Sequence, residues 1–83
     1  MAPKIGSTRT RNGNTYISTE GGVVKLPPSA RTPRQRIMWL LRRGYLLAAY
    51  LVAAHGDKVM VALLKRAKPN VPWNNIHAAA KYA

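Results

Sequence analysis

Residues 34–56, RQRIMWLLRRGYLLAAYLVAAHG, decide the fold, because they hold the longest apolar stretch of the chain. Their apolar side chains recur at helical spacing, which marks one face of a helix. Thr32 and Pro33 come directly before, and these residue types favour the capping position and the first position of a helix. We therefore predict a helix over residues 33–54, in which Gly44 either allows close backbone approach or weakens the helix.

Two further helices are predicted downstream. Gly56 is expected to end the first helix in the left-handed conformation, and Asp57 is expected to cap the next one, over residues 57–68. A single long helix that continues through Gly56 is the alternative. Two prolines then end the second helix, and a short last helix is predicted over residues 73–82.

The N-terminal part of the chain does not have a helical pattern. Residues 1–32 are predicted to form an extended basic arm, with a weak β-hairpin over residues 14–26 or an irregular segment in its place. The helical region then occupies residues 33–83. The predicted fold class is therefore mainly α: an extended basic N-terminal arm, two helices and a short C-terminal helix.

Charge is the strongest compositional signal. Fourteen Lys and Arg residues stand against Glu20 and Asp57, a formal net charge of +12. Solubility alone requires a net charge of only about 2–8, so we expect a polyanionic partner. The phosphate backbone of nucleic acid is the first candidate, and an anionic membrane surface is the second. The predicted nucleic-acid-binding residues are all basic: Lys4, Arg9, Arg11, Arg31, Arg34, Arg36, Arg42, Arg43, Lys65, Arg66 and Lys68.

A second expectation concerns protein neighbours. Residues 45–54 are apolar in every direction around a helix axis, and such a helix is normally buried on all sides. We expect a short chain with one other sizeable helix to leave part of this surface for other subunits of a large complex. The aromatic rings could stack on bases, but packing is favoured. The predicted protein-interface residues are Trp39, Tyr45, Leu46, Leu47, Tyr50, Leu51 and Trp73.

The sequence argues against catalysis. Glu20 and Asp57 are its only carboxylates and nothing in the pattern pairs them, while the serines have no histidine near them in sequence. It contains no phosphate-binding loop or dinucleotide motif, and no cysteine for a disulfide or a thiolate ligand. We predict no enzyme activity, no cofactor and no metal site.

A basic extended arm followed by small helices is similar in layout to small ribosomal and virion proteins. The resemblance implies a non-catalytic structural subunit of a larger assembly, whose arm contacts RNA while an apolar helix docks on neighbours. One alternative is an accessory single-helix subunit of a membrane-bound, mitochondrial-type energy-conversion complex, with a spanning helix over residues 44–64. Another is a small helix-turn-helix DNA-binding protein built around Gly56.

Overall fold

A computed structural model describes residues 4–56 and 58–81. In this part of the chain a three-stranded antiparallel sheet, of strand order β1-β2-β3, precedes four helices. The predicted mainly α class is therefore wrong, and the fold is α+β. The elements are β1 Thr8–Arg11, β2 Asn14–Thr19, β3 Gly22–Lys25, α1 Pro33–Arg42, α2 Leu46–Gly56, α3 Lys58–Ala67 and α4 Trp73–Ala80.

The sheet occupies the region predicted to be an extended arm. Asn12 and Gly13 connect β1 to β2 with φ values of 53° and 79°, the left-handed conformation that a tight two-residue hairpin turn requires. β2 and β3 form a second hairpin inside the range 14–26. The extended arm was a wrong prediction because β1 pairs along the whole of its length with β2, and because Ile17 in β2 is fully buried against the helices.

Helix α1 begins as predicted. The hydroxyl oxygen of Thr32 accepts a hydrogen bond from the backbone N–H of Gln35 at 3.2 Å, and the side-chain oxygen of Gln35 accepts one from the backbone N–H of Thr32 at 3.0 Å. This reciprocal capping box satisfies two N–H groups that helical hydrogen bonding leaves unpaired. Pro33 occupies the first turn, where its missing N–H carries no penalty.

The predicted helix over residues 33–54 is wrong, because the chain leaves the helical conformation at Gly44. This glycine has a φ of +83°, which the backbone of other residues rarely adopts. The N–H of Tyr45 donates to the carbonyl of Leu40 at 2.9 Å, and the N–H of Gly44 donates to that of Leu41 at 3.1 Å. These two bonds form a Schellman motif, which ends α1 and lets α2 fold back against it.

The left-handed conformation predicted for Gly56 is wrong. This glycine is the last residue of α2 and its φ lies outside the left-handed region. The predicted cap at Asp57 lies outside the described residues, as does the end of the last predicted helix at residue 82. Helix α2 is described to Gly56, α3 from Lys58 to Ala67, and α4 from Trp73 to Ala80.

Helix α2 lies at the centre of the molecule. It contacts α1, α3, α4 and β2, and its fully buried alanines, Ala48, Ala49 and Ala53, allow these neighbours to approach closely. No residue from 45 to 53 is exposed. The chain therefore covers this apolar helix more completely than we expected. Among the described residues, no helix combines the length and the apolar character needed to cross a membrane.

Glu20, at the turn between β2 and β3, caps the N-terminus of α2, although the two segments are far apart in sequence. One carboxylate oxygen accepts from the backbone N–H of Leu47 at 2.7 Å, and the other accepts from that of Ala48 at 3.2 Å. Both N–H groups belong to the first turn of α2 and have no partner within the helix. A carboxylate at this end of a helix is also stabilised by the helix dipole.

The structure predicts opposite effects on stability for a glycine-to-alanine substitution at Gly44 and at Gly56. Gly44→Ala should lower the free energy of unfolding by about 1–2 kcal/mol, because alanine is strained in the left-handed conformation. Gly56→Ala should be neutral or stabilising by up to about 1 kcal/mol, since alanine favours the helical conformation. Urea unfolding followed by circular dichroism measures both. A continuous helix over residues 33–54 predicts the reverse order, and that order would contradict the structure.

Glu20→Gln should lower the free energy of unfolding by about 1 kcal/mol, because the amide keeps one acceptor but loses the charge that favours the helix N-terminus. Ala78→Lys is the matched control, since it makes the same change in net charge at an exposed position of α4. Equal destabilisation by the two variants would mean that general charge repulsion, and not the cap, is responsible.

Candidate nucleic-acid interface

The two faces of the sheet differ in chemistry because side chains alternate along each strand. On one face, Ile17 and its partner Val24 pack into the core with the helices. The opposite face carries Asn14, Tyr16 and Ser18 from the central strand. The sheet therefore turns an apolar face inward, and its outer face is mainly polar, with Ser18 buried and its cross-strand partner Val23 exposed.

Cross-strand pairing places a tyrosine between two cations on the solvent-facing side. Tyr16 is directly opposite Arg9 on β1 and directly opposite Lys25 on β3. One step along, Arg11 is opposite Asn14. Directly opposed residues have Cβ atoms about 4.5–5.5 Å apart, so the side chains of each row are neighbours. We call Arg9, Arg11, Tyr16 and Lys25 the basic sheet face.

A solvent-facing groove of about 810 Å³ runs over the part of this face that carries Arg9, Arg11 and Tyr16, while Lys25 lies outside its lining. Arg9 and Arg11 are exposed, whereas Tyr16 is half-buried. The lining combines cations, one aromatic ring and small polar side chains: Lys4, Ser7, Thr8, Arg9, Arg11, Asn12, Tyr16, Ser18 and Val23. It thus brings together Lys4, Arg9 and Arg11, three of the four basic site residues predicted within residues 1–32.

A second depression continues the basic surface toward α1. Its volume is about 300 Å³, and its lining includes Lys25, Arg31 and Arg36. The Nε of Arg31 donates to the carbonyl of Pro28, and the Nε of Arg36 donates to that of Ala30, each at 3.2 Å. These bonds hold the two guanidinium groups in place, which lowers the entropy lost when a phosphate is bound.

The other predicted cations lie in two further places. Arg34 and Arg42 line a depression of about 390 Å³ beside Trp39 on α1, and the guanidinium carbon of Arg43 lies 5.3 Å from the centre of the Trp39 ring. Such a distance is within the range of a cation–π contact. The third group lies at the end of α3 and after it, away from the grooves over the sheet: Lys65, Arg66 and Lys68.

The predicted protein-interface residues are more enclosed than expected. Tyr50 and Trp73 are buried within the chain, with rings stacked 6.4 Å apart. The Tyr50 hydroxyl is hydrogen-bonded to Nδ1 of His77, and the indole N–H of Trp73 donates to the carbonyl of Lys68 at 2.8 Å. The other five are half-buried: Trp39, Tyr45, Leu46, Leu47 and Leu51. The large apolar side chains that are exposed are different ones: Val23, Met38, Val59 and Leu63.

Two residues of the basic sheet face, Tyr16 and Lys25, were not among the predicted site residues. The signal for Tyr16 was the alternation R-x-R at residues 9–11 and N-x-Y-x-S at residues 14–18, on either side of a two-residue turn. A period of two places every second residue on one face of a strand. Given the turn, this pattern would have put Arg9 and Tyr16 on the same face.

Opposite charge is scarce near this surface. Among the described residues the only carboxylate side chain is that of Glu20, which is bound to the N-terminus of α2. The same part of the chain contains no group of three or more histidine or acidic residues that could hold a metal ion. The basic sheet face can therefore attract anions without competition from a neighbouring carboxylate of the described chain.

Comparisons with protein-family models, with curated proteins and with solved structures found no match. What the basic sheet face can bind is therefore argued from its geometry: exposed cations in rows, an aromatic ring between two of them, and polar side chains along the same groove.

Proposed function

We propose that the chain binds nucleic acid without catalysis, as a structural subunit of a larger assembly. The observation that carries the proposal is the row Arg9–Tyr16–Lys25 on the solvent-facing side of the sheet. Cations of the row would neutralise phosphates and release their counterions, which supplies sequence-independent affinity. Arg31 and Arg36 extend the same surface and suit phosphate contacts because of their planar guanidinium groups.

Nucleic acid is favoured over other polyanions by the aromatic ring among the cations. An acidic protein or an anionic lipid surface would be attracted by charge alone, whereas bases also offer flat rings that stack on tyrosine. Membrane-surface binding usually relies on an apolar helix face, while the groove over the basic sheet face is lined mainly by cations and small polar side chains, with Val23 as its one aliphatic residue. As a subunit of an assembly the chain would also meet protein neighbours, and Met38 and Leu63 are exposed for such contacts.

The helix-turn-helix alternative has less support. A recognition helix presents polar side chains to the major groove, mainly from its N-terminal part. In α3 the exposed side chains of Val59 and Leu63 are apolar, and its described exposed cations, Lys65 and Arg66, lie in the last turn. This distribution favours the sheet over α3 as the nucleic-acid-binding element.

The double variant Arg9→Gln/Lys25→Gln tests the proposal. Affinity for a mixed-sequence RNA oligonucleotide, measured by fluorescence anisotropy at several salt concentrations, should fall at low salt. The slope of log affinity against log salt should become shallower by about 1.4–1.8, since each phosphate contact contributes about 0.7–0.9.

Lys65→Gln/Lys68→Gln is the matched control, because it removes the same charge from the exposed group beyond the sheet. We expect it to change the slope by much less. An equal change in both variants would mean that the whole basic surface acts diffusely, against the proposed site. Equal affinity for polyglutamate or for phosphatidylserine vesicles would overturn the choice of nucleic acid as the partner.

A further inference from the structure

We infer that the nucleic acid bound at the basic sheet face is single-stranded, with one base stacked on Tyr16. This inference rests on the proposed function and adds the class of ligand. Three features carry it: the position of the ring in the row, the width of the sheet, and the absence of a cation over the ring within the described chain.

The ring of Tyr16 is available to a ligand. It is half-buried and lines the groove, and it is not part of the apolar cluster on the other side of the sheet. In the described residues the one cation–π contact is between Arg43 and Trp39, so neither the guanidinium of Arg9 nor the ammonium of Lys25 lies over the ring of Tyr16. A flat surface on the central strand is thus left for a base.

The cations are placed to hold the phosphates on both sides of such a base. Adjacent strands lie about 4.7–4.9 Å apart, so Arg9 and Lys25 are separated at the backbone by about 10 Å, with Tyr16 between them. A nucleotide whose base lies on the central ring has one phosphate on each side along its own chain. The long side chains of Arg9 and Lys25 can each reach one of them.

A duplex fits this surface poorly. The major groove of B-form DNA is about 12 Å wide and admits a helix or a two-stranded ribbon. The sheet has three strands and is backed by α2, so it is too wide to enter. A-form RNA has an even narrower major groove. In both duplexes the faces of the bases are covered by their neighbours, and a tyrosine ring cannot stack on them.

Recognition by stacking predicts weak sequence preference, because every base has an aromatic face. RNA and DNA single strands share the chemistry that the row would recognise. The experiment therefore compares four labelled ligands with the full chain: oligouridine and oligothymidine of about twelve nucleotides, within the range of site sizes known for single-strand binders, and an RNA and a DNA duplex of matched length.

Tyr16→Ile is the test variant, since isoleucine is well accommodated in strands but has no ring, and Tyr16→Phe is the control that keeps the ring. Loss of stacking should weaken single-strand binding about tenfold or more for Tyr16→Ile and by less than about threefold for Tyr16→Phe. Duplex affinity should not change. The salt slope should also stay the same in both variants, because no phosphate contact is removed.

Each outcome separates this inference from the proposed function. If Arg9→Gln/Lys25→Gln lowers the salt slope but Tyr16→Ile leaves single-strand affinity intact, the proposed function stands and stacking is overturned. If Tyr16→Ile lowers the affinity for single strands and for duplexes equally, the stacking inference is overturned too. The wild-type chain supplies a measurement that needs no variant: tighter binding to either duplex than to both single strands would overturn the inference. Absence of binding to all four ligands would overturn the proposed function itself.

Discussion

The two hydrogen bonds between the Glu20 carboxylate and the first turn of α2 connect the sheet to the central helix of the fold. The carboxylate lies at a hairpin turn and accepts from the N–H groups of Leu47 and Ala48, far away in sequence. It holds the turn between β2 and β3 against the central helix, in an arrangement where Ile17 is buried in the core and Arg9 and Lys25 are exposed. A very basic chain thus uses the one carboxylate side chain of its described part for a structural purpose.

Local chemistry predicted the start of α1 but not its end. Thr32 and Pro33 act through the first turn that follows them, so the sequence contains the whole cause. Gly44 and Gly56 are the same residue type after similar helical sequence, and local preference cannot say which one takes the left-handed conformation. That choice depends on where α2 can fold back to bury its alanines, which is a property of tertiary packing.

The candidate site, too, was predicted only in part from the sequence. Charge alone identified Arg9, Arg11, Arg31 and Arg36, and the structure places them in two adjoining depressions with Lys25. Tyr16 could not be distinguished from Tyr50 by composition, yet one lines an open groove and the other is buried beside Trp73. The missing information was strand register, which the turn at Asn12 and Gly13 determines. The four residues of β1 are all exposed, so no apolar pattern marked them as a strand.

The strand order leaves β1 at an edge of the sheet, and this has a consequence for self-association. An edge strand offers unpaired backbone groups to another molecule, and natural proteins often block such pairing with charged side chains. Arg9 and Arg11 alternate along this edge, and an antiparallel copy docked there would bring arginines close to arginines, which repel. Dissolved ions weaken that repulsion. Concentrated salt, which would also detach a polyanion, should therefore remove the barrier that keeps the edges of separate molecules apart.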